Sequence, residues 1–155
     1  MRFIIKALNH LEFVQLFEKS DMELGSLGAK RMFVDEKPGY PCRVSLEDAE
    51  IGEEVILVSY EFHKANSPYK AVGPIFVRKG LETKVLRYNE IPTMLKHRLL
   101  SFRGYNKDGI MKVAKTENGI DSQTIIEQIF DNPLIEYIHI HNASPGCYNC
   151  EVRRV

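Results

Sequence analysis

Apolar positions recur along this chain with two periods, and the changes of period mark out its elements. Short β-branched and apolar runs at residues 2–8, 31–34, 55–60 and 73–78, each bounded by Gly, Pro, Asn or Asp, predict strands. The run Val55-Ile56-Leu57-Val58 is apolar at successive positions, which predicts a central strand covered on both faces. Residues 99–105 and 110–115, closed by Asn106-Lys107-Asp108-Gly109, predict a hairpin. Helical spacing is rarer. Leu11, Phe13, Val14, Leu16 and Phe17 predict a helix capped by Asn9, with Glu12 completing a capping-box-like pair and an end near Ser20. Residues 89–98 predict a short helix with Pro92 in its first turn. Asp121 caps a third, whose Ile125, Ile126, Ile129 and Phe130 form one stripe before Asn132-Pro133 stops it. Few helices and many hairpin-linked strands predict an α+β fold: one domain over 1–155, with a mainly antiparallel sheet, free to curl, and two or three peripheral helices.

The densest chemistry lies at the C-terminus, where residues 135–150 read as strand, tight turn and return strand. Side chains on a strand alternate faces, so His139 and His141 share one face and Ile138 and Ile140 the other. Two registers are open. If Asn142 pairs with Cys147 around Ala143-Ser144-Pro145-Gly146, then His139 lies opposite Cys150 and His141 opposite Tyr148. A loop one residue shorter pairs His141 with Cys147 and turns Cys150 away. In either register one cysteine faces the histidines.

Length and charge narrow the class. A chain of 155 residues can bury a core without disulfides or metal. Lysine plus arginine equals aspartate plus glutamate, 21 each, so no net field draws it to nucleic acid or an anionic membrane. Three cysteines are an odd number, and no leader segment opens the chain, so a soluble protein of the reducing cytoplasm is expected.

Tyr40-Pro41-Cys42-Arg43, Asp48-Ala49-Glu50-Ile51-Gly52-Glu53, Ser67-Pro68-Tyr69, Gly73-Pro74-Ile75-Phe76-Val77, Ile138-His139-Ile140-His141-Asn142 and Pro145-Gly146-Cys147-Tyr148 occur in this order. In that combination the chain, from about Tyr40 to its end, resembles the bacterial family catalogued as domain of unknown function 1203. The resemblance implies a small, stand-alone, soluble bacterial protein. It carries no activity, cofactor or residue role with it.

The residues themselves support three readings. One is a pocket for a small polar or anionic molecule, formed by the C-terminal hairpin, the Cys42–Asp48 loop and the Arg103 strand. Its ligand-binding candidates are Arg43, His63, Arg103, Tyr105, His139, His141 and Asn142, all in loops or strands that can present a site. Arginine offers a planar fork to carboxylate or phosphate, and histidine exchanges protons near neutral pH. Cys42 and His141 are the catalytic candidates, the thiol as nucleophile and the imidazole as acid or base. A second reading is a zinc-type site from His139, His141 and whichever of Cys147 and Cys150 faces them, completed by Cys42 or His63. The third is an interaction module without chemistry, in which Arg103 bridges to Asp48 or Glu50 and the tyrosines are rim packing. No phosphate-loop, dinucleotide, Gly-x-Ser-x-Gly or His-Glu-x-x-His motif adds a fourth.

Overall fold

The computed structural model describes all 155 residues. In chain order the elements are β1 (Phe3–Lys6), two 3-10 turns (His10–Glu12 and Val14–Glu18), α1 (Asp21–Ser26), β2 (Lys30–Phe33), β3 (Glu54–His63) and β4 (Ala71–Arg78). Then follow α2 (Thr93–Lys96), β5 (Leu99–Tyr105), β6 (Met111–Asn118), a third 3-10 turn (Gly119–Asp121), α3 (Ser122–Phe130), β7 (Tyr137–Asn142) and β8 (Tyr148–Arg154). The strands form two antiparallel sheets, one ordered β1-β8-β7-β5-β6 and one ordered β2-β3-β4. The class is therefore α+β, with two sheets in place of one curled sheet. No helix is long and apolar enough to cross a membrane.

Strand parity sorts the five-stranded sheet into two unlike faces. Ile138 and Ile140 of β7, Leu100 and Phe102 of β5, Cys150 and Val152 of β8 and Phe3 and Ile5 of β1 join one buried core with the α3 stripe Ile125, Ile126, Ile129 and Phe130. That stripe is the one the helical spacing predicts. Crowding by Val113 of the paired strand β6 and by Ile129 of α3 explains Gly104: a Cβ there would lie 2.6 Å from Val113 Cγ1 and 3.2 Å from Ile129 Cγ2. The opposite face carries His139, His141 and their neighbours, and meets the end of the three-stranded sheet through Phe62, which stacks on Tyr148 at 5.2 Å between ring centroids.

Two local expectations are corrected. The first helix is absent as such. Asn9 does cap, its side chain accepting from Leu11 N, but 3-10 turns follow it. Phe13 and Leu16, three apart and both packed into the core beside the three-stranded sheet, eclipse in a 3-10 turn, so packing overrides the helical period. The α-helix begins where the first helix was expected to end, with Ser20 and Glu23 forming a full capping box. The helix expected over residues 89–98 shrinks to α2, because Asn89 adopts a positive φ of 58° and Pro92 is its N-cap.

The loop from Tyr40 to Ala49 is polar in sequence yet almost wholly buried, with only Glu47 exposed. It is held by backbone: Arg43 N donates to Phe76 O, Leu8 N to Arg43 O, and Cys42 N to Glu47 O. Arg43, 2% exposed, sends Nε to Tyr148 O at 2.7 Å and NH1 to Pro41 O at 2.5 Å, tying this loop to β8. Asp48 pairs with Arg98, with His97 at 3.2 Å, so the bridge expected from Arg103 is made by Arg98.

Candidate functional site

Register builds the histidine face in rows across the strands. One row runs Lys6 (β1), Glu151 (β8), His139 (β7), Arg103 (β5). Its neighbour runs Ile4, Arg153, Tyr137, Tyr105. On the other side His141 faces Tyr148 and Ser101. Asn142 N donates to Cys147 O at 2.8 Å, as in the first of the two registers. A bulge at Asn149 then breaks the count, so that Ile140 pairs with Cys150 and His139 with Glu151. One extra residue flips everything beyond it. Cys150 enters the apolar core behind the sheet, where burial pushes its thiol pKa up, and a carboxylate takes the place beside His139.

His139 is the hub of this face. It is 1% exposed, and the rings of Phe62, His63, Tyr105, Tyr137, His141 and Tyr148 lie between 5.1 and 6.4 Å from its own. Its Nε2 lies 3.3 Å from Glu151 Oε2, and Glu151 Oε1 takes Arg153 Nε at 2.6 Å. Burial opposes ionisation of Glu151, but hydrogen bonds from His139 and Arg153 outweigh it and hold the carboxyl at about 2. Burial also lowers the pKa of His139. The pair is therefore a neutral imidazole donating from Nε2 to an ionised carboxylate, which leaves Nδ1 a lone pair, and that atom has no partner.

His63 comes in from the end of β3. Its Nδ1 lies 2.8 Å from Tyr69 O, which can only accept, so the hydrogen sits on Nδ1. Its Nε2 then accepts the Tyr137 hydroxyl at 2.6 Å. Burial raises the Tyr137 phenol to about 12, and the Arg153 guanidinium lies over its ring at 4.8 Å.

A cleft of about 690 Å³ opens over this floor. Tyr137, His139, Tyr148, Glu151 and Arg153 line its base, Tyr60 and residues 62–65 of β3 and its exit form one wall, and residues 6–9 with Glu12 form the other. Lys107, Gly109 and Glu136 stand at its far end, where Ser67 Oγ donates to Gly109 O at 2.8 Å and pins the β3–β4 connection to the β5–β6 turn.

The sequence candidates thus divide. His63 and His139 line the cleft, and Tyr105 stacks behind Tyr137 at 5.2 Å. His141 is sealed: it is 0% exposed, donates Nδ1–H to Gly146 O at 2.9 Å and meets the Phe62 ring edge-on. Arg103 flanks His139 on the side away from Glu151 and donates to Ser101 Oγ. Asn142 bonds Asn149 at the hairpin end. Arg43 and Cys42 belong to the buried loop, where Cys42 Sγ accepts from Ser45 N and Arg78 N. Cys42, Arg43, Arg103, His141 and Asn142 therefore do not line this cleft, which opens on the Glu151 side of His139. No three His, Cys, Asp or Glu side chains are arranged to hold a metal ion, and His139, His141, Cys147 and Cys150 are split by the bulge.

Tyr137, Glu151, Arg153, Lys6 and Lys107 escaped the sequence reading. Parity marks Tyr137, two residues before His139; Glu151 and Arg153 reach the face only through the bulge, which no Gly or Pro announces. A search of curated proteins and of solved structures finds no match to the chain. Residues 39–154 match the model of the family described as Protein of unknown function (DUF1203), and the chain belongs to that family.

Proposed function

We propose that the cleft over His139 binds a small polar or anionic molecule. The observation that carries this reading is His139 itself: a buried imidazole lining an open cleft, oriented by an ionised Glu151, with an Nδ1 that has no partner in the protein. Buried polar atoms are nearly always satisfied inside a fold, and exceptions beside a cavity mark sites that meet a ligand. The charge of that ligand follows from the edge. Arg153 is paired with Glu151 and Lys64 with Glu12, whereas Lys6 and Lys107 have no carboxylate partner. Four cations against three carboxylates leave the lining with one net positive charge.

A competing hollow of about 680 Å³ lies beside Pro38, Asp48 and His97. Its buried carboxylate, Asp48, is already matched by Arg98.

Titration of the chain with malonate and with inorganic phosphate at low ionic strength, followed by NMR, tests the proposal. Shifts are expected at Tyr137, His139 and Glu151, with affinity weakened about tenfold or more in a Lys6→Glu, Lys107→Glu double variant, as loss of two attractive charges and gain of two repulsive ones demands. Shifts scattered over the surface, or centred on His97, would sink it.

A further inference from the structure

The hydrogen bonds of His63, Tyr137 and His139 on the floor of the cleft all run inward, while the Tyr148 hydroxyl has no partner in the protein and can accept or donate. The His63 Nδ1–H goes to Tyr69 O, the Tyr137 hydroxyl to His63 Nε2, and the His139 Nε2–H to Glu151. Around His139 the floor therefore offers a visitor mainly acceptors: the remaining lone pair of Tyr137 Oη, the carboxylate oxygens of Glu151, whose side chain is 22% exposed, and behind them the unpartnered His139 Nδ1. The donors stand at the edge. Lys6 is level with Glu151 across the β1–β8 pair, Lys107 projects from the β5–β6 turn, and Arg153 keeps guanidinium hydrogens beyond the one given to Glu151.

This division dictates the polarity of the ligand. One end must donate hydrogen bonds to the floor, and the other must carry negative charge to the edge. Resting on the anion-binding reading above, we infer that the cleft takes a hydroxylated anion, a small hydroxycarboxylate or a polyol phosphate. Its hydroxyl groups donate to Tyr137 Oη and Glu151, and its anionic group lies among Lys6, Lys107 and Arg153. An ammonium group at the donor end fits less well, since it would cancel the ligand's charge in a cleft whose lining is net positive. A deoxy analogue would leave the floor acceptors desolvated and unmet, and a site built around a substrate hydroxyl rejects the analogue that lacks it.

The test pairs each hydroxylated probe with its deoxy counterpart on the full chain: glycerate against propionate, and glycerol phosphate against propyl phosphate, by calorimetry with NMR mapping. Glycerate or glycerol phosphate is expected to bind about tenfold or more tightly than its partner, and the carboxylate and phosphate arms decide which anion the edge prefers. Tyr137→Phe, which removes the Oη acceptor, is expected to narrow the ratio within each pair to about threefold or less. Equal affinity within both pairs would overturn the inference while leaving anion binding intact. Absence of binding by all four probes would overturn both. A preference that survives undiminished in a folded variant carrying both Tyr137→Phe and Glu151→Leu would also overturn it. The comparison within pairs on the unmodified chain stands even if that variant does not fold.

Discussion

Replacing Arg43 with methionine is expected to cost about 3 kcal/mol of stability, enough to lower Tm by roughly 6–12 °C in a chain of this size. The guanidinium is buried without a hydrogen-bonded carboxylate, and burial lowers its pKa to about 10, so it remains charged at neutral pH. Its hydrogen bonds go to the Tyr148 and Pro41 carbonyls. Two opposing effects decide the sign. Methionine removes the desolvation of a buried charge, which elsewhere has made such replacements neutral or stabilising. It also leaves two buried carbonyl oxygens without donors, at about 1–3 kcal/mol each, and severs the one side-chain tie between the Cys42 loop and β8. The second effect wins if the loop cannot shift to find new donors, and its backbone bonds to Leu8 and Phe76 hold it in place. Urea unfolding of the two proteins measures the difference. A variant as stable as the parent would mean that the loop is not held through Arg43.

The second large effect is a loss of stability in mild acid, well above the range where carboxylates protonate. Burial drives the His141 pKa down to about 3, against about 6.5 in an unfolded chain. Between these values the unfolded state binds a proton that the folded state refuses, so stability falls as pH drops through that window. The loss from pH 7 to pH 5 is about 2 kcal/mol from this residue. His139, also shifted down by burial, acts in the same direction. Glu151 adds to the slope only below its unfolded value, because its folded pKa is depressed to about 2. His141→Gln, which keeps a donor for Gly146 O, is expected to remove about 2 kcal/mol of the difference between pH 7 and pH 5. An unchanged acid slope in that variant would show that His141 takes up its proton without unfolding.

What the sequence disclosed follows from where each signal is local. The α3 stripe and the β5–β6 hairpin depend on residues a few positions apart, and both are found where their pattern puts them. The shared face of His139 and His141 is likewise a matter of parity. The fate of the site was not local. Which of these histidines meets solvent depends on Phe62, which arrives from the other sheet and closes over His141 while the neighbouring His63 reaches Tyr137. Glu151 stands beside His139 because Asn149 is an extra residue in β8, and no glycine or proline in the strand marks that bulge. Arg43 reads as a candidate for anion binding because arginines in loops usually face water. Here ten residues of polar-looking loop are roofed by β4 and the N-terminal segment, and its fork satisfies carbonyls instead.

The central claim is that a small anion enters the cleft between the β7–β8 face and the end of β3. A crystal structure of the chain grown with glycerol phosphate tests it most directly. The account predicts the phosphate among Lys6, Lys107 and Arg153, with a hydroxyl on Tyr137 Oη or Glu151. A cleft holding only water, with the compound bound beside His97 or nowhere, would contradict it.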